Sequence, residues 1–226
     1  MDIVIAKKIR KSFHDGEKEL AVLKGLDLSV KRGEFLSITG RSGSGKSTLL
    51  YQLGLLDSPN SGEIYIDGIE ITSLSNDERT MMRLGELGYI FQDYALVPEL
   101  SALENVLVPL LMQGLSADKA REKAKLSLEK IGLSDRFDHL PNQLSGGEQQ
   151  RVAIARAVAH DPKIIFADEP TANLDSETAD VVLQNFLDLN REGQTIIMVT
   201  HEPEYASLTH RIVQLSDGVI ASEVVN

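Results

Sequence analysis

The stretch Gly40-Arg41-Ser42-Gly43-Ser44-Gly45-Lys46-Ser47 decides the fold of this 226-residue chain. It follows an apolar segment, Glu34 to Thr39, with the composition of a buried strand, and it precedes Leu49, Leu50 and Leu53 at helical spacing. Strand, loop and helix in this order match the phosphate-binding pattern G-x-x-x-x-G-K-[ST]. Glycines let successive backbone N–H groups turn toward an anion, and the helix adds its positive N-terminal end. The stretch therefore predicts a site for ATP and Mg²⁺.

Each polar residue of this loop has an expected role. Lys46 would reach the β- and γ-phosphates, the Ser47 hydroxyl would ligate Mg²⁺, and Thr48 could donate to the α-phosphate. The other expected phosphate contacts are Gly40, Ser42, Gly43, Ser44 and Gly45. A glycine-rich connector without a ligand is the alternative, and the flanking strand and helix disfavour it.

Composition excludes several classes of protein. The chain is 42% hydrophobic, as in an ordinary globular domain, and its formal net charge of −11 makes binding to nucleic acid unexpected. It has no cysteine, so disulfides, thiolate metal sites and cysteine nucleophiles are excluded. The N-terminus lacks a secretion signal, and no apolar run approaches the roughly 20 residues that cross a bilayer. We therefore expect a cytoplasmic protein that reaches a membrane only through a partner.

The order of elements predicts an α/β fold. The first third has short strands and turns, and the last third alternates strands with helices, which favours a largely parallel sheet. The segment 92–159 is mostly helical, so we expect one domain, 1–226, with an α/β core and β subdomain (1–91 and 160–226) and an inserted helical subdomain (92–159). Tight turns are predicted at Asp67-Gly68 and Asp217-Gly218. Helices are predicted after the capping-box pattern that starts at Ser101, after Ser145, and with Ser116 and Ser176 as caps.

A second acidic site is predicted where the apolar segment Lys163 to Ala167 ends in Asp168-Glu169. In open α/β sheets, ligands bind beyond the carboxyl ends of the strands, where the phosphate loop also lies. Asp168 would hold Mg²⁺, and Glu169 would polarise the water that attacks the γ-phosphorus.

The segment Leu144-Ser145-Gly146-Gly147-Glu148-Gln149-Gln150-Arg151 predicts a second anion site. Ser145, Gly146 and Gly147 would present a hydroxyl and backbone N–H groups at a helix N-terminus. One chain with two phosphate-binding helix ends suggests that two chains share two nucleotides head to tail.

These motifs together resemble the ATP-binding subunits of ABC transporters over nearly the whole chain. The resemblance includes the phosphate loop at 40–47, Gln92 after the strand 87–91, the signature at 144–149 and Asp168-Glu169. It also includes the segment 172–175 and His201 after the strand 196–200. It implies a P-loop NTPase core of ABC-ATPase type, with an antiparallel β subdomain and an inserted helical subdomain, that hydrolyses ATP.

The resemblance also implies roles for individual residues. Gln92 would contact Mg²⁺ and the attacking water, and His201 would hydrogen-bond the γ-phosphate. Ser145 and Gly147 would bind the γ-phosphate held by the other chain, and Asp175 would cross the dimer interface. Phe13 has an open alternative, and one segment departs from the family pattern. Phe13 would stack on adenine or, alternatively, belong to the core, and Ala172-Asn173 replaces the more usual Ser-Ala or Gly-Ala, with a small expected effect on interface packing.

Within the family, the chain is similar to the lipoprotein-releasing, macrolide-exporting and cell-division ATPases. This branch implies an ATP-dependent homodimer that drives an integral membrane subunit from the inner face of the membrane. A non-transporting cell-division ATPase and an importer ATPase remain alternatives, with a soluble ATPase acting on nucleic acid as a more distant one. The partner would dock near Leu96, Val97 and Leu100, unless these residues pack in the core of the helical subdomain.

Overall fold

The computed structural model describes residues 1–16 and 18–226. The chain divides into two compact units, Met1–Met81 with Gly193–Asn226, and Met82–Glu192. The predicted helical segment 92–159 lies inside the second unit, which also contains two strands and a further helix. The narrower subdomain boundaries remain a prediction.

The first unit contains a four-stranded antiparallel sheet in the order β2-β1-β4-β5. Its strands are β1 (Asp2–Asp15), β2 (Lys18–Lys31), β4 (Ser61–Ile66) and β5 (Ile69–Glu70). The predicted alternation along β2 is confirmed, since Leu26, Leu28 and Val30 are buried. At the β4–β5 hairpin, Asp67 (φ 50°) and Gly68 (φ 82°) form the predicted turn with two positive φ angles.

The same unit contains parallel strands that carry the phosphate loop. β3 (Phe35–Gly40) pairs in parallel with β8 (Thr195–Val199) and with β9 (Arg211–Ser216), which pairs in turn with the antiparallel β10 (Val219–Val225). Asp217 (φ 49°) and Gly218 (φ 80°) form the second predicted turn. Helix α1 (Lys46–Leu53) follows β3, and the short helix α7 (Pro203–Ala206) follows β8. Both β3 and β8 are largely buried, so the phosphate loop directly follows a strand that is fixed in the core.

Three helices of the second unit lie within the predicted helical segment. They are α3 (Ala102–Met112), α4 (Ala117–Lys130) and α5 (Gly146–Val158), with 3-10 turns at Ser134–Arg136 and Pro141–Gln143. All three contact one another. The capping box predicted at Ser101 is present, and Ser145, predicted to precede a helix, also forms one. Ser116 occupies the N-cap of α4 without a side-chain capping bond.

The remaining elements of this unit form an α/β layer. β6 (Leu87–Ile90) pairs in parallel with β7 (Ile164–Asp168), all five residues of which are buried. Helix α6 (Ser176–Arg191) packs against α5. The prediction that Ser176 caps this helix is wrong, because the N-cap is Asp175, whose carboxylate accepts from Thr178 N.

Helices α2 (Asn76–Glu86) and α7 were not predicted. α2 is amphipathic but mostly polar, and Met82 is its buried residue. Its start had a local signal, since Ser75 N donates to Glu78 Oε2 at 2.8 Å in a capping-box arrangement.

Candidate functional site

The phosphate loop turns through three glycines in the left-handed region. Gly40, Gly43 and Gly45 have φ angles of 146°, 78° and 101°. A Cβ at Gly40 would lie 2.3 Å from the carbonyl oxygen of Leu215 and 2.7 Å from Ser44 Oγ. Glycine is therefore required at position 40 by close packing as well as by conformation.

Lys46 is folded back over this loop. Its side chain is buried, and Nζ donates to the carbonyl oxygens of Gly40 at 3.0 Å and Arg41 at 3.2 Å. A buried ammonium group held at the mouth of a loop of backbone N–H groups supplies the positive charge that a triphosphate needs.

Two further features of the loop fit an anion. Ser44 is buried, and its Oγ has no hydrogen-bond partner within residues 1–16 and 18–226. Helix α1 begins at Gly45 without a side-chain cap, so its first N–H groups have no side-chain acceptor from the N-cap. A buried hydroxyl and uncapped N–H groups are the donors that phosphate oxygens require.

The acidic pair predicted at the end of β7 is present in the second unit. Asp168 is buried at the last position of the strand, and Glu169 follows it with a φ of 45°. Positive φ is uncommon for a residue with a side chain and costs about 1–2 kcal/mol. A hydrogen bond of 3.2 Å from Ala172 N to the Glu169 carbonyl holds the loop that stabilises this conformation.

Gln92 follows β6 and is exposed. Its carbonyl oxygen accepts a hydrogen bond of 3.1 Å from Asn173 Nδ2, which joins the Gln92 loop to the segment after Glu169. The sequence identified Asn173 as a departure from the family pattern, but gave no sign of this contact between residues so far apart in the chain.

The loop that continues from Gln92 is anchored by two polar side chains, the buried Asn105 and the half-buried Arg156. Asn105 exchanges two hydrogen bonds with the backbone of Val97, of 2.8 and 3.1 Å. The guanidinium of Arg156 donates to the carbonyl oxygens of Tyr94, at 2.9 Å, and Ala95. Val97 is 46% exposed, whereas Leu96 and Leu100 are half-buried. The loop thus presents apolar surface in a fixed conformation.

The signature segment begins helix α5 with a closed capping box. Ser145 Oγ accepts from Glu148 N at 3.2 Å, and Glu148 Oε2 accepts from Ser145 N at 2.8 Å. Arg136 Nε donates to the other oxygen of Glu148 at 2.8 Å. The bond from the Ser145 backbone, with those from Arg136 and the Ser145 side chain, lowers the pKa of Glu148.

Both signature glycines are closely packed. A Cβ at Gly147 would lie 2.1 Å from Thr178 Cγ2, and one at Gly146 would lie 2.9 Å from Tyr94 Oη. The first turn of α5 is therefore in contact with the first turn of α6. Asp175 caps α6 with bonds from Thr178 N and Thr178 Oγ1, both 2.9 Å, and the backbone bond lowers the pKa of the Asp175 carboxyl.

Phe13 and His201 lie on the surface of the first unit. Phe13 is 45% exposed, and Lys11 Nζ lies 5.1 Å from its ring centroid. This exposure disfavours the core alternative for Phe13. The exposed His201 has Nε2 3.3 Å from Glu202 Oε1.

The predicted site residues are thus distributed over both units. The first unit holds the phosphate loop, Phe13 and His201, and the second holds Gln92, Asp168, Glu169, Asp175 and the signature. Within the second unit, hydrogen bonds and close packing bring together the Gln92 loop, the segment after Glu169 and the start of α5.

A sequence model of the family described as ABC transporter matches residues 23–172, more than half of the chain. The chain belongs to the ABC transporter family. The match includes the phosphate loop, Gln92, the signature and the acidic pair, and the chain is therefore an ATP-binding ATPase of this family, as the motifs predicted.

Two curated relatives have names that state a system. The lipoprotein-releasing system ATP-binding protein LolD of Aquifex aeolicus is 49% identical over 223 residues, which cover 99% of this chain and 98% of that protein. The macrolide export ATP-binding/permease protein MacB of Syntrophobacter fumaroxidans is 47% identical over 226 residues, which cover 99% of this chain and 32% of MacB. The chain therefore matches LolD over its whole length and MacB over about a third.

Solved structures of the ATP-binding cassette MJ0796 share the fold. Its dimeric structure as a bacterial ABC transporter cassette has a TM-score of 0.92 at 45% identity and covers 98% of both chains. A dimeric post-hydrolysis state bound to ADP and Pi has a TM-score of 0.91, also at 45% identity. The predicted ABC-ATPase fold class is confirmed. Across residues 1–16 and 18–226, no helix combines the length and the apolar character needed to cross a membrane.

Proposed function

We propose that two copies of this chain close around two ATP molecules, and that each ATP is held by the phosphate loop of one copy and the signature of the other. The observation that carries the proposal is the buried Lys46, which points across a loop of glycines beside the buried Ser44 hydroxyl. The dimeric MJ0796 structures, one with ADP and Pi, support the arrangement. Ser145, Gly147 and Asp175 would face the partner.

Mg²⁺ fits the residues expected to hold it. Mg²⁺ usually keeps several waters and binds one or two carboxylates together with substrate phosphates. Ser47, Asp168 and Gln92 offer a hydroxyl, a buried carboxylate and an amide oxygen for such a site. No cluster of three or more His, Asp or Glu residues suited to a metal occurs in the described part of the chain.

In the reaction, Mg²⁺ would neutralise charge that develops on the phosphates. Glu169 would accept the proton of the attacking water, while Gln92 orients that water. Lys46 and His201 would bind the γ-phosphate, and Phe13 would stack on adenine.

We further propose a membrane subunit as the partner, with this chain held at the inner face of the membrane. The names of LolD and MacB favour lipoprotein release or macrolide export as the process that is driven. The fixed apolar loop at Leu96, Val97 and Leu100 is the proposed contact with that subunit. A non-transporting cell-division complex would use the same chain chemistry and would differ only in its partner.

The experiment that tests the proposed site is Glu169→Gln. Loss of the base should lower ATP turnover by roughly 10²–10⁴-fold and leave ATP binding intact, so that the variant elutes as a dimer with ATP in size-exclusion chromatography. Glu129→Gln, which neutralises an exposed carboxylate on α4, should behave as the parent. A Glu169→Gln chain that stays monomeric and hydrolyses ATP at the parental rate would exclude the proposal.

A further inference from the structure

A second contact between α5 and the segment after Glu169 involves Gln150. This residue lies three positions after Gly147, on the same face of α5, and its side chain is completely buried. Gln150 Nε2 donates a hydrogen bond of 2.7 Å to the carbonyl oxygen of Pro170. Gln150 Oε1 is buried and has no partner among the described residues.

The half-paired amide is costly for the fold. A buried polar atom without a hydrogen bond destabilises a protein, and an apolar side chain of this size would avoid that cost. Burial in a helix packed on α6 therefore does not explain a glutamine here. The glutamine is explained by its hydrogen bond to Pro170, because Pro170 adjoins Glu169.

Pro170 directly follows Glu169, whose φ is 45°. Two consecutive carbonyl oxygens of this turn are held: Glu169 O by Ala172 N at 3.2 Å, and Pro170 O by Gln150. The first bond lies within the turn itself, whereas the second ties the turn to α5. The backbone that aims the Glu169 carboxylate is thus anchored to the helix that begins with the signature.

We propose that Gln150 is a positioning residue for ATP hydrolysis and that it links the signature helix, α5, to Glu169. The inference rests on the proposed function, in which the signature of a chain binds the nucleotide of its partner while Glu169 serves the nucleotide of its own phosphate loop. A shift of α5 when Ser145 and Gly147 engage the partner's γ-phosphate moves the Pro170 carbonyl through Gln150, and Glu169 moves with it. One closed site thereby aligns the base of the other, and the two sites hydrolyse ATP cooperatively.

The test replaces Gln150 with Met, which has a similar length and no donor. We expect kcat to fall roughly 10- to 100-fold, the loss that a small misplacement of a catalytic group causes. We expect the KM for ATP to change little and the Hill coefficient to fall toward 1. In a Glu169→Gln background, Gln150→Met should still form the ATP-dependent dimer, because the signature contacts are intact.

The matched control is Gln113→Met. Gln113 Nε2 also donates to a backbone carbonyl within the same unit, that of Leu84 at 2.5 Å, but it has no link to Glu169. This variant loses a bond from a half-buried glutamine to a backbone carbonyl and should keep the parental kcat and Hill coefficient. An equal loss of kcat in both variants would assign Gln150 to general stability and overturn the inference.

Gln150→Glu gives a readout that loss of packing would not produce. A carboxyl group buried against a carbonyl oxygen can donate to it only when protonated, and burial raises its pKa. The ratio of its kcat to that of Gln150→Met should therefore rise as the pH falls from about 8 to about 6. A ratio independent of pH would refute the inference, and so would a Gln150→Met chain with the kcat and Hill coefficient of the parent. In either case, ATP turnover by the parent chain would still support the proposed function. A parent chain without ATP turnover would overturn both.

Discussion

At the scale of single residues, Lys46 shows how this chain prepares a site for a highly charged ligand. Its ammonium group is buried, which is unfavourable for an isolated charge, and the carbonyl oxygens of Gly40 and Arg41 compensate for part of the lost hydration. Phosphate oxygens carry a full negative charge and are better partners for an ammonium group than carbonyls are. Binding of a triphosphate can therefore replace these internal bonds by stronger ones.

We expect Lys46→Ala to weaken ATP binding roughly 10- to 100-fold, since a hydrogen bond to a charged group contributes about 1.5–3 kcal/mol. ADP should be affected less than ATP, because the predicted contacts include the γ-phosphate. Isothermal titration calorimetry of both nucleotides measures the difference. Lys119→Ala, at an exposed position of α4, should bind both as the parent does. Equal ATP affinity of parent and Lys46→Ala would contradict the assigned role.

At the scale of elements, three helices of this chain begin with a serine and a glutamate three residues later. The pairs are Ser75 with Glu78, Ser101 with Glu104, and Ser145 with Glu148. In each pair the glutamate also lies at the positive end of the helix dipole. Hydrogen bonds from the serine lower the pKa of all three carboxyl groups; the largest cause is the serine hydroxyl for Glu78 and the serine backbone N–H for Glu104 and Glu148. Only Glu148 among them bonds to an arginine as well.

This cap predicts an acid-sensitive contribution to stability. Because the pKa of Glu148 is lowered in the folded chain, its carboxylate stabilises the fold above the ordinary pKa, near 4.5, and loses this effect as the pH falls through the folded value. Glu148→Ala should lower the free energy of unfolding by about 0.5–2 kcal/mol at neutral pH. The difference from the parent should shrink below about pH 4.

Urea denaturation of the parent and Glu148→Ala at both pH values measures this effect. Glu129→Ala, which removes an exposed carboxylate on α4 outside any capping box, controls for the change in net charge. A difference between the parent and Glu148→Ala that persists unchanged in acid would show that the charged form of Glu148 does not contribute.

The elements that could be predicted from the sequence are those with local determinants. The two Asp-Gly turns and the capping box at Ser101 depend on residues within three positions of one another. The predicted N-cap of α6, Ser176, lies one residue beyond the observed N-cap, Asp175. Asp and Ser are equally good N-caps, and the two residues are adjacent here. The bonds of Asn173 to Gln92 and of Gln150 to Pro170 join residues 81 and 20 positions apart, and no local pattern marks such partners.

At the scale of the whole molecule, the chain has two compact units with different parts of the proposed chemistry. The first contains the loop expected to bind ATP, and the second contains the expected base, the signature and the apolar loop at Leu96, Val97 and Leu100. Within the second unit, Asn173 joins the backbone of Gln92 to the segment after Glu169. A displacement of the apolar loop can therefore be transmitted through this hydrogen bond to the residues around Glu169.

We expect Leu96→Ser with Val97→Ser to abolish stimulation of ATP turnover by the membrane subunit, because the substitutions remove apolar contact area. The basal turnover of the isolated chain should survive, since Asn105 and Arg156 hold the loop through its backbone. ATPase assays with and without the reconstituted membrane subunit compare the two activities. Loss of basal turnover as well would indicate that these residues pack in the core of their unit.

The contact between Gly147 and Thr178 also limits the order in which this sequence can change over generations. A methyl group at position 147 would lie 2.1 Å from Thr178 Cγ2, so alanine cannot appear there while threonine remains at 178. Serine at 178 would keep the hydroxyl bonded to Asp175 and remove the obstructing methyl group. Packing within the chain therefore admits alanine at 147 only after serine has replaced Thr178, and the proposed contact of Gly147 with the partner's nucleotide is a separate constraint on this position.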